Sequence, residues 1–301
     1  MHSRSYMSVV TPIRVAILVT VAVTGAACSK GSDSPTSPSP NPGGSGGGTS
    51  YTALGASDTT GYGSSVECFP FSPCANGTGW VQILQRRLEQ VGAVAYQNVG
   101  VPGSVLSPAM EDLSRRVGRG VSNNVLTNQA PFVRAADTVV TVFAGGNDGN
   151  IIAEAVKQQQ AGDNPRAFID QQVARWGDDY AAMIRGIRQK APNARVVVLN
   201  LPNLAAMPYV ARFTTFEKSI LQRVAVGLSE RVNALVGPNV HVVDLLCDAR
   251  VIEPSSFSAD GFHPSDRGYA LMAELAYPAL TSASFPAPAT DCGLKRIFPA
   301  Y

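Results

Sequence analysis

Ala53-Leu54-Gly55-Ala56-Ser57-Asp58-Thr59-Thr60-Gly61 runs from an apolar, strand-like segment straight into a serine on a glycine-flanked loop. A strand that ends in a reactive-looking loop is the unit from which an α/β sheet with a site at its edge is built. Further strand-like runs follow at Val94 to Asn98, Thr138 to Phe143, Arg195 to Leu199 and Val240 to Leu245, the first being Tyr51 to Leu54. Helix-period segments separate them, at Gly79 to Val91, Pro165 to Lys190, Phe213 to Val236 and Asp266 to Leu280. Within the second, Phe168 and then Val173, Trp176, Tyr180, Met183 and Ile187, the last five recurring every three or four residues, give it an apolar face. Short strands alternating with helices predict a parallel sheet, and right-handed crossovers place helices on both faces as a three-layer α/β/α sandwich.

Three further blocks carry chemistry. Asn98-Val99-Gly100-Val101-Pro102-Gly103 and Gly145-Gly146-Asn147-Asp148 each follow a strand-like run, and Asp260-Gly261-Phe262-His263-Pro264-Ser265 sets a carboxylate three residues ahead of a histidine. The order serine, glycine, asparagine, histidine resembles the SGNH or GDSL family of esterases and lipases, over Tyr51 to Tyr269. The resemblance implies a flavodoxin-like sheet of order 2-1-3-4-5 and hydrolysis of a carboxylic ester through an acyl-enzyme. One departure stands out: the family's Gly-Asp-Ser reads Gly55-Ala56-Ser57. That aspartate does not perform the attack, so rate or loop rigidity is expected to change before reaction type.

Ser57 is the expected nucleophile, because a hydroxyl attacks a carbonyl when a base removes its proton. His263 is the expected general base and Asp260 the group that fixes its tautomer. Of the other histidines, His2 lies in the leader and His241 in a strand, where it is assigned no role. The Ser57 and Gly103 backbone N–H groups and the Asn147 amide are the expected oxyanion donors. No metal and no cofactor are expected, since the cysteines and histidines lack zinc spacing and Gly145-Gly146 lacks the lysine of a phosphate loop. The expected substrate is a small-molecule, lipid or glycan ester, handled by a general esterase or lipase-like enzyme. A carbohydrate acetylesterase of the same fold is the alternative, and Ala56 motivates a third reading, a non-catalytic surface binding protein. The segment Gly149 to Asn164 is expected to wall the acyl pocket.

Residues 1–27 read as an export signal: Arg4 and Arg14 precede an apolar run from Val15 to Val23, and small residues lead to Cys28. That run is shorter than the roughly 20 residues that span a bilayer. The pattern resembles a lipoprotein cleavage site, which would lipidate Cys28 and hold the protein on the cell envelope by that anchor alone; ordinary cleavage and secretion is the alternative. Residues 29–50, rich in Ser, Pro and Gly, read as a disordered linker, and residues 51–301 as one hydrolase domain. Four cysteines remain, Cys68, Cys74, Cys247 and Cys292, with three possible connectivities. Pairing Cys68 with Cys74 and Cys247 with Cys292 closes each loop beside one of the blocks. Removing residues 1–27 takes away two of the 24 basic residues and none of the 22 acidic ones, leaving a formal charge of zero. Nucleic-acid binding therefore has no electrostatic footprint.

Overall fold

The computed structural model describes residues 48–121 and 123–301. The leader, Cys28 and the linker up to residue 47 lie outside the described residues. Five parallel strands, β1 (Thr49–Gly55), β2 (Val94–Asn98), β3 (Val139–Phe143), β4 (Arg195–Leu199) and β5 (Val240–Val243), form one sheet in the order β2-β1-β3-β4-β5. This is the order that the sequence motifs implied. The helices are α1 (Ser57–Thr60), α2 (Trp80–Glu89), α3 (Pro108–Arg116), α4 (Val125–Asn128), α5 (Gly146–Lys157), α6 (Pro165–Lys190), α7 (Thr215–Asn233) and α8 (Asp266–Thr281). On one side α2 packs with α8, and α3, α5, α6 and α7 pack together in the other layer.

Burial explains the strands. Val139-Val140-Thr141-Val142-Phe143 is buried at every position, as a central parallel strand covered on both faces requires. The expected stripe on α6 faces inward from Val173 onward, with Val173, Trp176, Tyr180, Met183 and Ile187 buried and Phe168 only half-buried at its start.

Some boundaries differ from the sequence reading. β1 begins at Thr49, two residues inside the stretch expected to be linker, because Thr49 and Ser50 pair with Val94 and Ala95 and the Ser50 hydroxyl donates to Asp137 at 2.6 Å. β5 stops at Val243 rather than Leu245. There the side chain of Asn200 accepts the N–H groups of Leu245 and Leu246 at 2.7 and 3.0 Å and turns the chain out of the sheet. α7 begins later than Phe213, at a reciprocal cap between Thr214 and Glu217. The disulfides are Cys68–Cys74 and Cys247–Cys292. Among the described residues no helix is long and apolar enough to cross a membrane.

Candidate active site

The first three blocks meet where β1, β2 and β3 end. Gly55 closes β1 with φ 150°, and a side chain there would place its Cβ 2.2 Å from the carbonyl oxygen of Phe143, so only glycine fits between the strands. The chain then turns into α1, which opens with Ser57. Hydroxyls of Thr59 and Thr60 donate to the carbonyls of Ala56 and Ser57 at 2.6 and 2.7 Å and hold that single turn.

Ser57 Oγ lies 2.8 Å from Nε2 of His263, across 206 residues of sequence. The other ring nitrogen, Nδ1, lies 2.6 Å from Asp260 Oδ2. A carboxylate can only accept, so Nδ1 carries the proton and Nε2 is left to accept from the serine hydroxyl. The loop between Phe257 and Ser265 fixes this geometry. Asp260 Oδ1 accepts from the Ser258 hydroxyl and the N–H groups of Phe262 and His263 at 2.8 to 2.9 Å. Ser258 N–H in turn donates to the His263 carbonyl at 2.8 Å. Tyr62 and Phe262 pack against the imidazole with ring centroids 4.5 and 4.9 Å away. Burial alone would push the Asp260 carboxyl up, but its hydrogen bonds from His263, Phe262 and Ser258 outweigh burial and hold it down at about 2.

Gly103 occupies the third position of the turn Val101-Pro102-Gly103-Ser104, closed by Ser104 N–H donating to Val101 O at 3.1 Å. Its φ of 79° is what such a turn demands after proline. Asn147, in the first turn of α5, donates through Nδ2 to the Ser104 carbonyl at 2.9 Å. That bond ties the β3 corner to the Gly103 turn and leaves the amide a second hydrogen. The structure therefore brings Ser57, Asp260, His263, Gly103 and Asn147 to one edge of the sheet. His241 is elsewhere, its Nδ1 bonded to the Ala279 carbonyl at 2.8 Å.

A cleft of about 450 Å³ opens beside Asn147. One wall is a single face of α5, with Asn147, Asn150, Ala153, Glu154 and Lys157 at helical spacing, whereas Ile151, Ile152 and Val156 of the same helix are buried in the core and do not line it. Tyr209, Phe213, Phe262, Ile220 and Leu221 form the rest of its lining together with Val117, Arg119 and Glu217, the last paired with Lys157 at 3.1 Å.

Two supporting residues escaped the sequence reading. Asn98 donates to the Thr59 carbonyl at 2.7 Å and accepts from Gly100 N–H at 3.0 Å, joining the first two blocks; its role within its block was not read from the sequence. Asp148 is fully buried and accepts from Leu106 N–H at 2.9 Å. The Trp176 indole nitrogen lies close enough to favour the carboxylate slightly, although neither it nor Asp148 Oδ2 makes a hydrogen bond of normal geometry. Burial dominates and pushes Asp148 up to about 7.

An unfolded aspartate releases its proton near 4, whereas folded Asp148 keeps it to about 7, so the native state holds the extra proton in that window. Stability therefore falls as pH rises from about 4 to about 7, by on the order of 1.4 kcal/mol per unit of displacement. Burial also raises Asp58, which acts in the same direction. Asp148→Asn keeps the acceptor for Leu106 and is expected to shrink the stability difference between pH 5 and pH 8 in urea denaturation. An undiminished difference would count against this account of the slope.

The family model of the GDSL-like lipases and acylhydrolases matches residues 53–271, which include all five residues at the sheet edge. A lipase from a goat rumen metagenome, Lip_vut3, superposes with a TM-score of 0.53 at 21% identity, over 77% of this chain and 97% of that one. An extracellular lipase from Streptomyces rimosus gives 0.50 at 17% identity, over 78% of this chain and all of that one. At such identities the likeness is one of fold. No curated protein sequence matches the chain. Because the family model spans well over half of the chain, it belongs to the GDSL-like lipase/acylhydrolase family and is a serine ester hydrolase.

Proposed function

We propose that the protein cleaves carboxylic esters through an acyl-enzyme on Ser57, with His263 as base and Asp260 as its orienting carboxylate. The observation that carries this reading is the unbroken chain of two hydrogen bonds, 2.8 Å from Ser57 to His263 and 2.6 Å from His263 to Asp260. Ser57 Oγ bonds to the ester carbonyl carbon as its proton passes to Nε2. The carbonyl oxygen becomes an oxyanion, held by the N–H groups of Ser57 and Gly103 and the second hydrogen of Asn147. When the carbon–oxygen bond to the alcohol breaks, Nε2–H returns the proton to the leaving oxygen. Water then repeats the sequence, giving its proton to Nε2 and releasing the acid as Ser57 regains its hydrogen.

The acyl group enters the cleft beside Asn147, where Val117, Ala153, Phe213, Ile220 and Leu221 offer apolar surface to a short hydrocarbon chain, with Arg119, Glu154 and the Lys157–Glu217 pair also in its lining. The assay is hydrolysis of p-nitrophenyl acetate, butyrate and octanoate by the purified domain. Turnover of butyrate or octanoate is expected. Release of acetate from acetylated polysaccharide without action on longer esters would instead indicate a carbohydrate acetylesterase.

The proposed mature protein is lipidated at Cys28, with a Ser/Pro/Gly tether leading to the hydrolase domain, so the cell envelope is its place of work. Cys28→Ala is expected to move the protein from the membrane fraction to the soluble one. An unchanged distribution would remove the lipoprotein reading and leave secretion.

A further inference from the structure

Gln129 directly follows α4, is 1% exposed, and lies 74 residues from the strand it touches. Its side-chain amide meets the backbone of Gly55 edge to edge: Gly55 N–H donates to Oε1 at 2.9 Å, and Nε2 donates to the Gly55 carbonyl at 2.9 Å. This pair mimics one rung of a sheet and fixes which way the amide points, since the flipped amide would set oxygen against oxygen. Nε2 also reaches Ser104 Oγ and Asn123 Oδ1, each at 3.0 Å. Two hydrogens serve three acceptors, so one is shared between Ser104 and Asn123, while the Ser104 hydroxyl donates to the Val101 carbonyl at 2.6 Å.

One side chain thus grips two backbones. Gly55 stands two residues before Ser57, and Ser104 directly follows Gly103 and supplies the carbonyl that orients Asn147. Val101 N–H also donates to the Gly55 carbonyl at 3.2 Å, so the two segments already touch where Gln129 holds them. At the position where the family has an aspartate, Ala56 offers only a methyl group and cannot contribute to this network through its side chain.

The geometry points to Gln129 as a positioning residue for ester hydrolysis, which keeps the Ser57 hydroxyl in register with the Gly103 and Asn147 donors. It touches no reacting atom; it sets the spacing between groups that do. The inference rests on the roles proposed above for Ser57, Gly103 and Asn147. Displacements of about 1 Å at such groups cost on the order of 100-fold in rate.

The test compares Gln129→Met, close in shape but without the amide, with the wild type on p-nitrophenyl butyrate. Folding is checked by circular dichroism and a thermal melt. Inhibition is measured with a trifluoromethyl ketone, which forms an oxyanion adduct on the serine, and with butyrate, the product acid. The expected result is a 10- to 100-fold lower kcat, on the order set by misplacement, with KM near the wild-type value. Ketone affinity should fall in parallel while butyrate inhibition holds. A folded variant with wild-type kcat, or one that loses ketone and butyrate affinity equally, would overturn the inference. Should Gln129→Met not fold, Ser104→Ala carries the test, with an expected loss of about fivefold in kcat, the scale of one hydrogen bond; an unchanged kcat there overturns it. Turnover surviving in Ser57→Ala would overturn this inference together with the reading it rests on, whereas the Gln129 results alone leave that reading standing.

Discussion

His263→Ala is expected to lower kcat by about 10⁵- to 10⁶-fold, the scale seen when one member of a cooperating serine–histidine pair is removed. Without the imidazole, Ser57 Oγ loses the acceptor 2.8 Å away and must attack as a neutral hydroxyl. Adding Ser57→Ala to this variant should cost little more, because the two side chains act as one unit. The fold is expected to survive: the loop keeps the bond between Ser258 N–H and the residue 263 carbonyl, and Asp260 still caps Phe262. Steady-state kinetics on p-nitrophenyl butyrate, beside a circular dichroism spectrum, checks both halves. More than a tenth of wild-type turnover in a folded variant would remove His263 from the mechanism.

Asp260→Asn should cost about 10⁴-fold in kcat. The asparagine oxygen can take over the bonds that Oδ1 accepts from Ser258, Phe262 and His263 N–H, so the loop keeps its shape. The amide nitrogen then faces Nδ1 where Oδ2 stood, and two donors cannot pair. The ring answers by moving its proton to Nε2, which can no longer accept from Ser57. The loss should appear in kcat/KM with a melting temperature close to the wild type, and an active variant would show that the tautomer is set by something else. Acid behaviour follows the same bonds. The folded carboxyl is held at about 2, below an unfolded aspartate near 4. Its contribution to stability is therefore complete above about pH 4 and is lost as pH falls towards 2.

What the sequence made legible was mostly what repeats or stands out locally. β3 and β4 are runs of valine with few alternatives, and the order of the four blocks implied a sheet that the strand pairing reproduces. α5 was harder. It opens Gly146-Asn147-Asp148-Gly149, turn-forming residues by composition, and becomes helical because Ile151, Ile152, Ala155 and Val156 bury against their neighbours. α3 was overlooked for a related reason, being a single nine-residue helix with few apolar positions. Gln129 left no local signal at all, since its meaning depends on Gly55, 74 residues away. The same contact holds Gly55, the residue before Ala56, from a different element. Asp148 sat in a recognised block, but its buried carboxyl became visible only with the packing of Leu106 and Trp176 around it.

The most direct test of the central claim is to treat the protein with a fluorophosphonate and locate the adduct by peptide mass spectrometry. The account predicts one phosphonyl group on Ser57, forming in step with loss of esterase activity and much more slowly in His263→Ala. An adduct on another residue, or full ester turnover with Ser57 unmodified by excess reagent, would contradict it.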